Sequence, residues 1–216
     1  SGVYSLAKNY HDLFMEVDAD PNEYILAIKM VQSIGCTHSA TGYVLMNTGG
    51  NPGFSKKFVD SFLMKDGSRF TDKAGWQTLQ YKEEVADRDP RLAYCTVTPG
   101  FKRPGATQVL APDFGSSSTG FQISKYLMDV NLPDVYRVTS SYNDMPVFRY
   151  GETLLIYAEA LAELGTITQN DLDISINLLR DRVKMPHLDL QAANANPDWY
   201  LKSEQYGYQN VSGGNE

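Results

Sequence analysis

The stretch that decides the fold runs from Pro146 to Gly165 and reads PVFRYGETLLIYAEALAELG. Its apolar side chains recur in steps of three and four, the period of an amphipathic helix. The main stripe is Val147, Tyr150, Leu154, Ala158 and Leu161, widened by Phe148, Leu155 and Ala162. Pro fits the first turn of a helix, where its missing N–H costs nothing, and Gly often follows the last turn. The sequence therefore predicts one helix over residues 146–164.

A second helix follows after a short turn. Thr168 and Asp171 have the spacing of a capping box, with Asp in place of the usual Glu or Gln. Apolar residues then recur with helical period until Pro186, before which the helix must end; they are Leu172, Ile176, Leu179 and Val183. Two helices joined by such a turn form an αα-hairpin, and small residues on the first helix, such as Ala158, allow close approach.

The part of the chain before this hairpin is rich in loops. Residues 33–57 and 102–120 are rich in Gly, Ser, Thr, Asn or Pro, and residues 68–81 are loop-like; long ordered loops often carry function. The patterns between them predict helices over 3–17 and Phe58–Lys65, and strands over Leu92–Val97 and Phe121–Leu127. The apolar run Glu23–Val31 has the length of a strand, with a helix as the alternative. We therefore divide the chain into a loop-rich region (1–145), the hairpin (146–190) and an irregular tail (191–216).

Composition excludes several classes of protein. The 216 residues carry 19 Lys and Arg against 26 Asp and Glu, a net charge of −7, which argues against a nucleic-acid binder. No segment approaches the roughly 18 apolar residues that a membrane-spanning helix needs. Two cysteines, Cys36 and Cys95, are too few for a disulfide scaffold or a four-cysteine zinc site, although they could pair in an oxidising compartment.

The chain offers no recognisable catalytic or metal-binding motif. Asp18-x-Asp20-x-Asn22 begins like a calcium loop, but Glu23 stands where Gly is needed and Lys29 where the bidentate Glu belongs. Glu83, Glu84, Asp87 and Asp89 are neighbours on one charged stretch, whereas a glycosidase needs two carboxylates opposed across the scissile bond. We expect no catalytic residue, no metal and no cofactor, and keep a glycan-active hydrolase as a disfavoured alternative.

Five segments, in order, resemble the SusD/RagB family of outer-membrane nutrient-binding lipoproteins. They are Tyr10-His-Asp-Leu-Phe14 with Pro21-Asn-Glu23, Asp60-Ser-Phe-Leu-Met-Lys-Asp-Gly67, Arg88-Asp-Pro-Arg-Leu92, Gly120-Phe-Gln-Ile-Ser-Lys-Tyr126, and the hairpin itself up to Met185-Pro186. Each motif is weak alone, but together they span most of residues 4–200. The match corresponds to the middle portion of the family pattern.

This resemblance implies a mainly α fold, in which a tetratricopeptide-like helical hairpin carries a loop-rich region with short strands. It also implies non-catalytic binding of glycans at the bacterial outer-membrane surface, for delivery to a SusC-like TonB-dependent transporter. The anchor of such a surface lipoprotein would lie outside this chain. The alternative is a helical scaffold that docks the transporter, with the sugar contacts made by segments outside these residues.

Sugar binding needs flat aromatic faces and a few hydrogen-bonding groups, because a ring packs on the C–H face of a sugar while hydroxyls need partners. Trp76 and Tyr81 lie in one loop-like stretch, and Tyr43 with Asn47 lies in the first long loop. Arg69 could hold sugar hydroxyls. We therefore predict ligand binding by Trp76, Tyr81, Tyr43, Asn47 and Arg69.

Overall fold

The computed structural model describes residues 2–134 and 139–203. The chain is mostly helical with one small sheet, which confirms the predicted fold class. The α-helices are α1 (Ala40–Leu45), α2 (Lys56–Asp60), α3 (Tyr81–Glu84), α4 (Pro90–Cys95), α5 (Tyr150–Glu163), α6 (Gln169–Asp173), α7 (Ile176–Arg182) and α8 (Leu190–Ala195). Short 3₁₀ turns occur at Asp12–Phe14, Gln32–Ile34, Phe70–Asp72 and Trp76–Thr78. Two strands, β1 (Tyr24–Ile28) and β2 (Met145–Arg149), complete the fold.

The predicted hairpin is present. Helix α5 ends before Gly165, whose φ of 68° is the left-handed conformation that favours glycine. The Thr168 hydroxyl accepts from the Asp171 amide while the Asp171 carboxylate accepts from the Thr168 amide, so the capping box forms. Buried side chains from both helices, including Leu154 and Leu179, fill the space between them.

Two details of the hairpin differ from the prediction. Pro146 lies in β2 rather than in the helix, which begins at Tyr150. A two-stranded sheet consists only of edge strands, where the missing N–H of Pro is tolerated. The second helix is split into α6 and α7 near Ser175, whose hydroxyl donates to the Asp171 carbonyl and so competes with regular helical bonding.

Strand β1 lies within the segment that the sequence predicts as a strand, and it pairs with β2 in an antiparallel ribbon. Tyr24 faces Arg149 and Ile28 faces Met145, with irregular register around Leu26. The ribbon therefore connects the start of the described chain to the hairpin.

The predicted helix over residues 3–17 is wrong, because only the turn at Asp12–Phe14 is helical. The amides of this segment bond to distant groups instead. The Ser5 amide donates to the Asn22 carbonyl at 2.9 Å, and the Ala7 amide donates to the Glu23 carboxylate at 2.7 Å. Long-range bonds thus override the helical apolar spacing.

The predicted strand over Leu92–Val97 is also wrong, since most of it belongs to helix α4. Asp89 accepts from the Arg91 amide at 2.9 Å, and Pro90 occupies the first turn, so this segment begins as helices commonly do. The partner segment Phe121–Leu127 forms isolated bridges rather than a strand.

The loop-rich half contains two further differences. Helix α1 lies inside the stretch 33–57 that the sequence predicts as a loop. Helix α2 begins two residues before the predicted Phe58 and ends at Asp60. Cys36 and Cys95 are free thiols, so the disulfide alternative is not formed. Among residues 2–134 and 139–203, no helix has the length and apolar character needed to cross a bilayer.

Candidate functional site

Six aromatic rings form an aromatic stripe in the loop-rich half. The stripe consists of Phe54, Phe58, Phe62, Phe121, Tyr81 and Phe114. Ring centroids are 5.0 Å apart for Phe54 and Phe58, and 5.1 Å for Phe58 and Phe62. Tyr81 is 5.8 Å from Phe121 and 6.2 Å from Phe114. These separations are those of aromatic pairs in contact.

Two rings of the stripe are open to solvent. Phe58 is 40% exposed and Phe114 is 65% exposed, whereas Phe121 is buried. A backbone bond from the Phe54 amide to the Phe121 carbonyl, 3.1 Å long, joins the two halves of the stripe. Each exposed ring contacts a half-buried one, Phe58 against Phe54 and Phe62 and Phe114 against Tyr81, and together they form an apolar surface that a sugar ring can cover.

Local backbone chemistry fixes this surface. Ser55 caps α2 by accepting from the Phe58 amide at 3.3 Å. Gly120 has a φ of 81°, and a Cβ atom there would lie 2.9 Å from the Phe114 ring. Only glycine combines that backbone angle with such close approach of the ring.

Tyr81 anchors the stripe from within. Its hydroxyl donates to the Val97 carbonyl at 2.5 Å, and its ring is half-buried. Burial, with a further contribution from the Glu84 carboxylate, raises the pKa of Tyr81 to about 12. The structure therefore places this predicted residue in the stripe as a neutral hydroxyl whose proton is engaged.

Tyr43 and Asn47 are both exposed, on α1 and the turn after it. Tyr43 is 48% exposed, and the chain turns back against its ring. A Cβ atom at Gly50, which has a φ of 88°, would lie 2.8 Å from the Tyr43 hydroxyl oxygen. The two glycines Gly49 and Gly50 thus support one side of the ring and leave the other available.

Trp76 is only 7% exposed. Its ring is enclosed by Phe70 at 5.9 Å, by Tyr200 at 5.5 Å and by the Lys56 ammonium at 5.7 Å from the centroid. This burial disfavours stacking of a sugar on Trp76 in this conformation, and its role in binding stays a prediction.

Arg69 is also engaged within the protein. Its guanidinium donates to the Asn196 carbonyl, lies 3.6 Å from the Asp198 carboxylate and 3.8 Å from that of Asp72. The structure brings Arg69 close to the chain after α8, and these polar contacts in the described part of the chain do not involve the stripe or Tyr43. The binding role of Arg69 therefore stays a prediction.

Glu84 and Asp89 of the acidic stretch, and Asp60 on α2, form ion pairs with basic side chains. Lys56 pairs with the largely buried carboxylates of Asp60, at 3.1 Å, and Glu84. Burial raises the pKa of Asp60, although Lys56 opposes the shift. Asp89 is buried and paired with Arg91. In the described part of the chain, no group of three or more His, Cys, Asp or Glu is arranged to hold a metal ion.

Sequence reasoning missed the phenylalanines of the stripe. Phe54, Phe58 and Phe62 are spaced by four residues, a step that places side chains on one helical face. That spacing was the available signal, but α2 covers only part of it. Phe114 lies in a Gly- and Ser-rich stretch, and nothing local indicated its contact with Tyr81.

Comparisons with known proteins agree with this architecture. A family model described as the SusD family matches residues 13–210. The chain is 28% identical to a SusD-like carbohydrate-binding protein from Bacteroides fragilis NCTC 9343, with a TM-score of 0.63. The match covers 87% of this chain and 39% of that protein. A second solved structure, selenomethionine BT4246, is 20% identical, with a TM-score of 0.46. That match covers 65% of this chain and 29% of the other. No curated protein matches the chain.

Proposed function

This chain belongs to the SusD family, and from that premise we propose that it binds oligo- or polysaccharides without transforming them. The observation that carries the proposal is the likeness to a SusD-like carbohydrate-binding protein, at 28% identity over 87% of this chain. The chain spans 39% of the length of that protein. The glycan ligand and the transporter partner are therefore both part of the proposal.

The aromatic stripe supports sugar binding physically. The open faces of Phe58 and Phe114 expose apolar surface that a sugar's C–H face would remove from water. Tyr43 supplies a third open ring, and Asn47 adds an amide that can both donate and accept. We assign the sugar contacts of this chain to these residues, with Tyr81 positioning the stripe.

The same proposal includes delivery. A glycan-binding member of this family would present its ligand to a SusC-like TonB-dependent transporter, as a lipoprotein on the outer-membrane surface. The alternative is that this part of the protein mainly docks the transporter. That alternative is favoured by the exposed apolar side chains of Leu26, Phe148 and Ile156 on the ribbon and on α5.

Isothermal titration calorimetry of the full chain against a panel of neutral polysaccharide fragments tests the assignment. Phe58→Ala, Phe114→Ala and Tyr43→Ala should each weaken binding by about tenfold, equivalent to ~1.4 kcal/mol. Phe148→Ala is the matched control, because this ring is exposed but lies on β2. Unchanged affinity in all three of Phe58→Ala, Phe114→Ala and Tyr43→Ala would overturn this assignment and leave the docking role as the remaining proposal.

A second measurement tests the absence of chemistry. Incubation of the bound glycan with the full chain should release no new reducing ends above the buffer control. If the wild-type chain released reducing ends and Glu84→Gln or Asp60→Asn did not, the non-catalytic proposal would be overturned. The glycan-active hydrolase would then be the better interpretation.

A further inference from the structure

A cation cluster lies where the start of the described chain meets the hairpin. It consists of Lys125, Arg149 and Arg182, arranged around two aromatic rings. The Lys125 ammonium is 3.7 Å from the Phe14 ring centroid, and the Arg149 guanidinium is 5.4 Å from the same centroid. Arg182 lies 4.7 Å from the Tyr10 ring, which Lys125 also approaches at 5.8 Å.

One carboxylate serves this cluster. Glu23 is fully buried and pairs with Arg149 at 3.0 Å and with Arg182 at 2.8 Å. Within residues 2–134 and 139–203, no carboxylate lies within ion-pair distance of Lys125. Three cations therefore share one anion, although the whole chain carries a net charge of −7.

The cluster is electrostatically unsatisfied. Burial lowers the pKa of Lys125, nearby Cys95 opposes the shift, and the like charge of Arg149 lowers it further. The Arg182 Nε atom is buried and has no hydrogen-bond partner in the part of the chain described here. Contact with aromatic rings offsets part of the cost of burying an ammonium group, but a buried cation ordinarily has an anionic partner.

Half-buried aromatic rings border the cluster. The Tyr94 ring is 6.3 Å from that of Tyr10 and 5.3 Å from the ring of His11. All three side chains are partly open to solvent. A surplus of positive charge beside partly open rings suits a ligand that carries both an anionic group and an apolar ring face.

We propose that the cation cluster binds the carboxylate or sulfate group of an acidic sugar, so that the glycan taken by this chain is anionic. This inference rests on the proposed function for the sugar part of the ligand. The anion of the ligand neutralises positive charge that the Glu23 carboxylate does not, and Lys125 is the residue that contacts this anion directly. Tyr10 and Tyr94 face the sugar ring that bears the charge.

The probe is trigalacturonate, compared with its fully methyl-esterified form and with a sulfated galactan trisaccharide. Binding to the full chain is measured by isothermal titration calorimetry at two salt concentrations. Lys125→Met keeps the length and the ring contact but removes the charge. Lys57→Met is the matched control, since Lys57 is an exposed lysine on α2.

The expected result is tighter binding of an acidic probe than of the ester, with at least a tenfold loss of that affinity in Lys125→Met and none in Lys57→Met. The carboxylate and sulfate probes show which anion is preferred, and salt should weaken binding of the charged form only. Equal affinity of wild type and Lys125→Met for both acidic probes would overturn the inference. If neutral fragments still bind through Phe58 and Phe114, the proposed function stands while this inference fails.

Discussion

Glu23 and Arg182 form an ion pair of 2.8 Å although 159 residues separate them in sequence. Glu23 precedes β1, and Arg182 is the last residue of α7. The same carboxylate also accepts from Arg149 and from the Ala7 amide. One buried side chain therefore holds together the initial segment, the ribbon and the hairpin.

Replacement of Glu23 by Gln should destabilise the protein strongly. The change leaves two largely buried guanidinium groups without their carboxylate, and loss of one partner from a buried ion pair costs about 3–5 kcal/mol. Urea denaturation should show this loss in the free energy of unfolding. Glu152→Gln, an exposed carboxylate on α5, should stay within about 0.5 kcal/mol of wild type. Equal stability of the two variants would contradict the central role of Glu23.

The capping box predicts a pH-dependent contribution to stability. Hydrogen bonds from the Thr168 hydroxyl, then from the Tyr157 hydroxyl, lower the pKa of Asp171 below its usual value. A carboxylate with a lowered folded-state pKa stabilises the fold above its unfolded pKa, and this contribution disappears as pH falls through the folded pKa. At pH 7, Asp171→Asn should therefore have a lower free energy of unfolding than wild type. This difference, measured by urea denaturation at several pH values, should shrink below about pH 4. A difference that is constant with pH would contradict the assignment.

Gly50 should matter for sugar binding as well as for stability. Gly50 and Gly100 both have a φ of 88°, so an alanine at either position carries similar backbone strain, about 1 kcal/mol. Only at Gly50 would the new Cβ meet the Tyr43 hydroxyl, at 2.8 Å, whereas nothing lies within 4 Å at Gly100. Gly50→Ala should weaken glycan affinity several-fold and Gly100→Ala should not. Calorimetry with the panel of neutral fragments distinguishes the two outcomes.

Lys56 should control access to Trp76. Its ammonium lies 5.7 Å from the Trp76 ring centroid, and Lys56→Ala shortens the side chain that covers that ring. In a Trp199→Phe background, acrylamide should quench Trp76 fluorescence more strongly in Lys56→Ala than in Lys57→Ala. A simultaneous gain in glycan affinity would support the predicted role of Trp76. Unchanged quenching would show that Lys56 does not limit access to the ring.

Local chemistry made part of the fold predictable. Three features depend on residues within a few positions of one another. They are the helical spacing of the apolar residues in α5, the left-handed Gly165 and the capping box of α6. The family motifs extended this agreement, because they follow the same order in the chain. The division at residues 145 and 190 stays a prediction.

The remaining differences have tertiary causes. The initial segment has helical apolar spacing, but Asn22 and Glu23 accept its amides. Residues 92–97 have the composition of a strand, yet Asp89 and Pro90 begin a helix there. Tyr81 was predicted from its residue type and neighbours, whereas its contact with Phe114 joins segments 33 positions apart and has no local signature.

The long-range ties of Glu23 also have a kinetic consequence. Helices α5, α6 and α7 meet through contacts between near neighbours, which form quickly because little chain entropy is lost in closing short loops. The ribbon and the Glu23 ion pairs must close loops of more than 100 residues, from β1 to β2 and α7. We therefore expect the hairpin to assemble first and the docking of the initial segment onto it to be the slow step of folding.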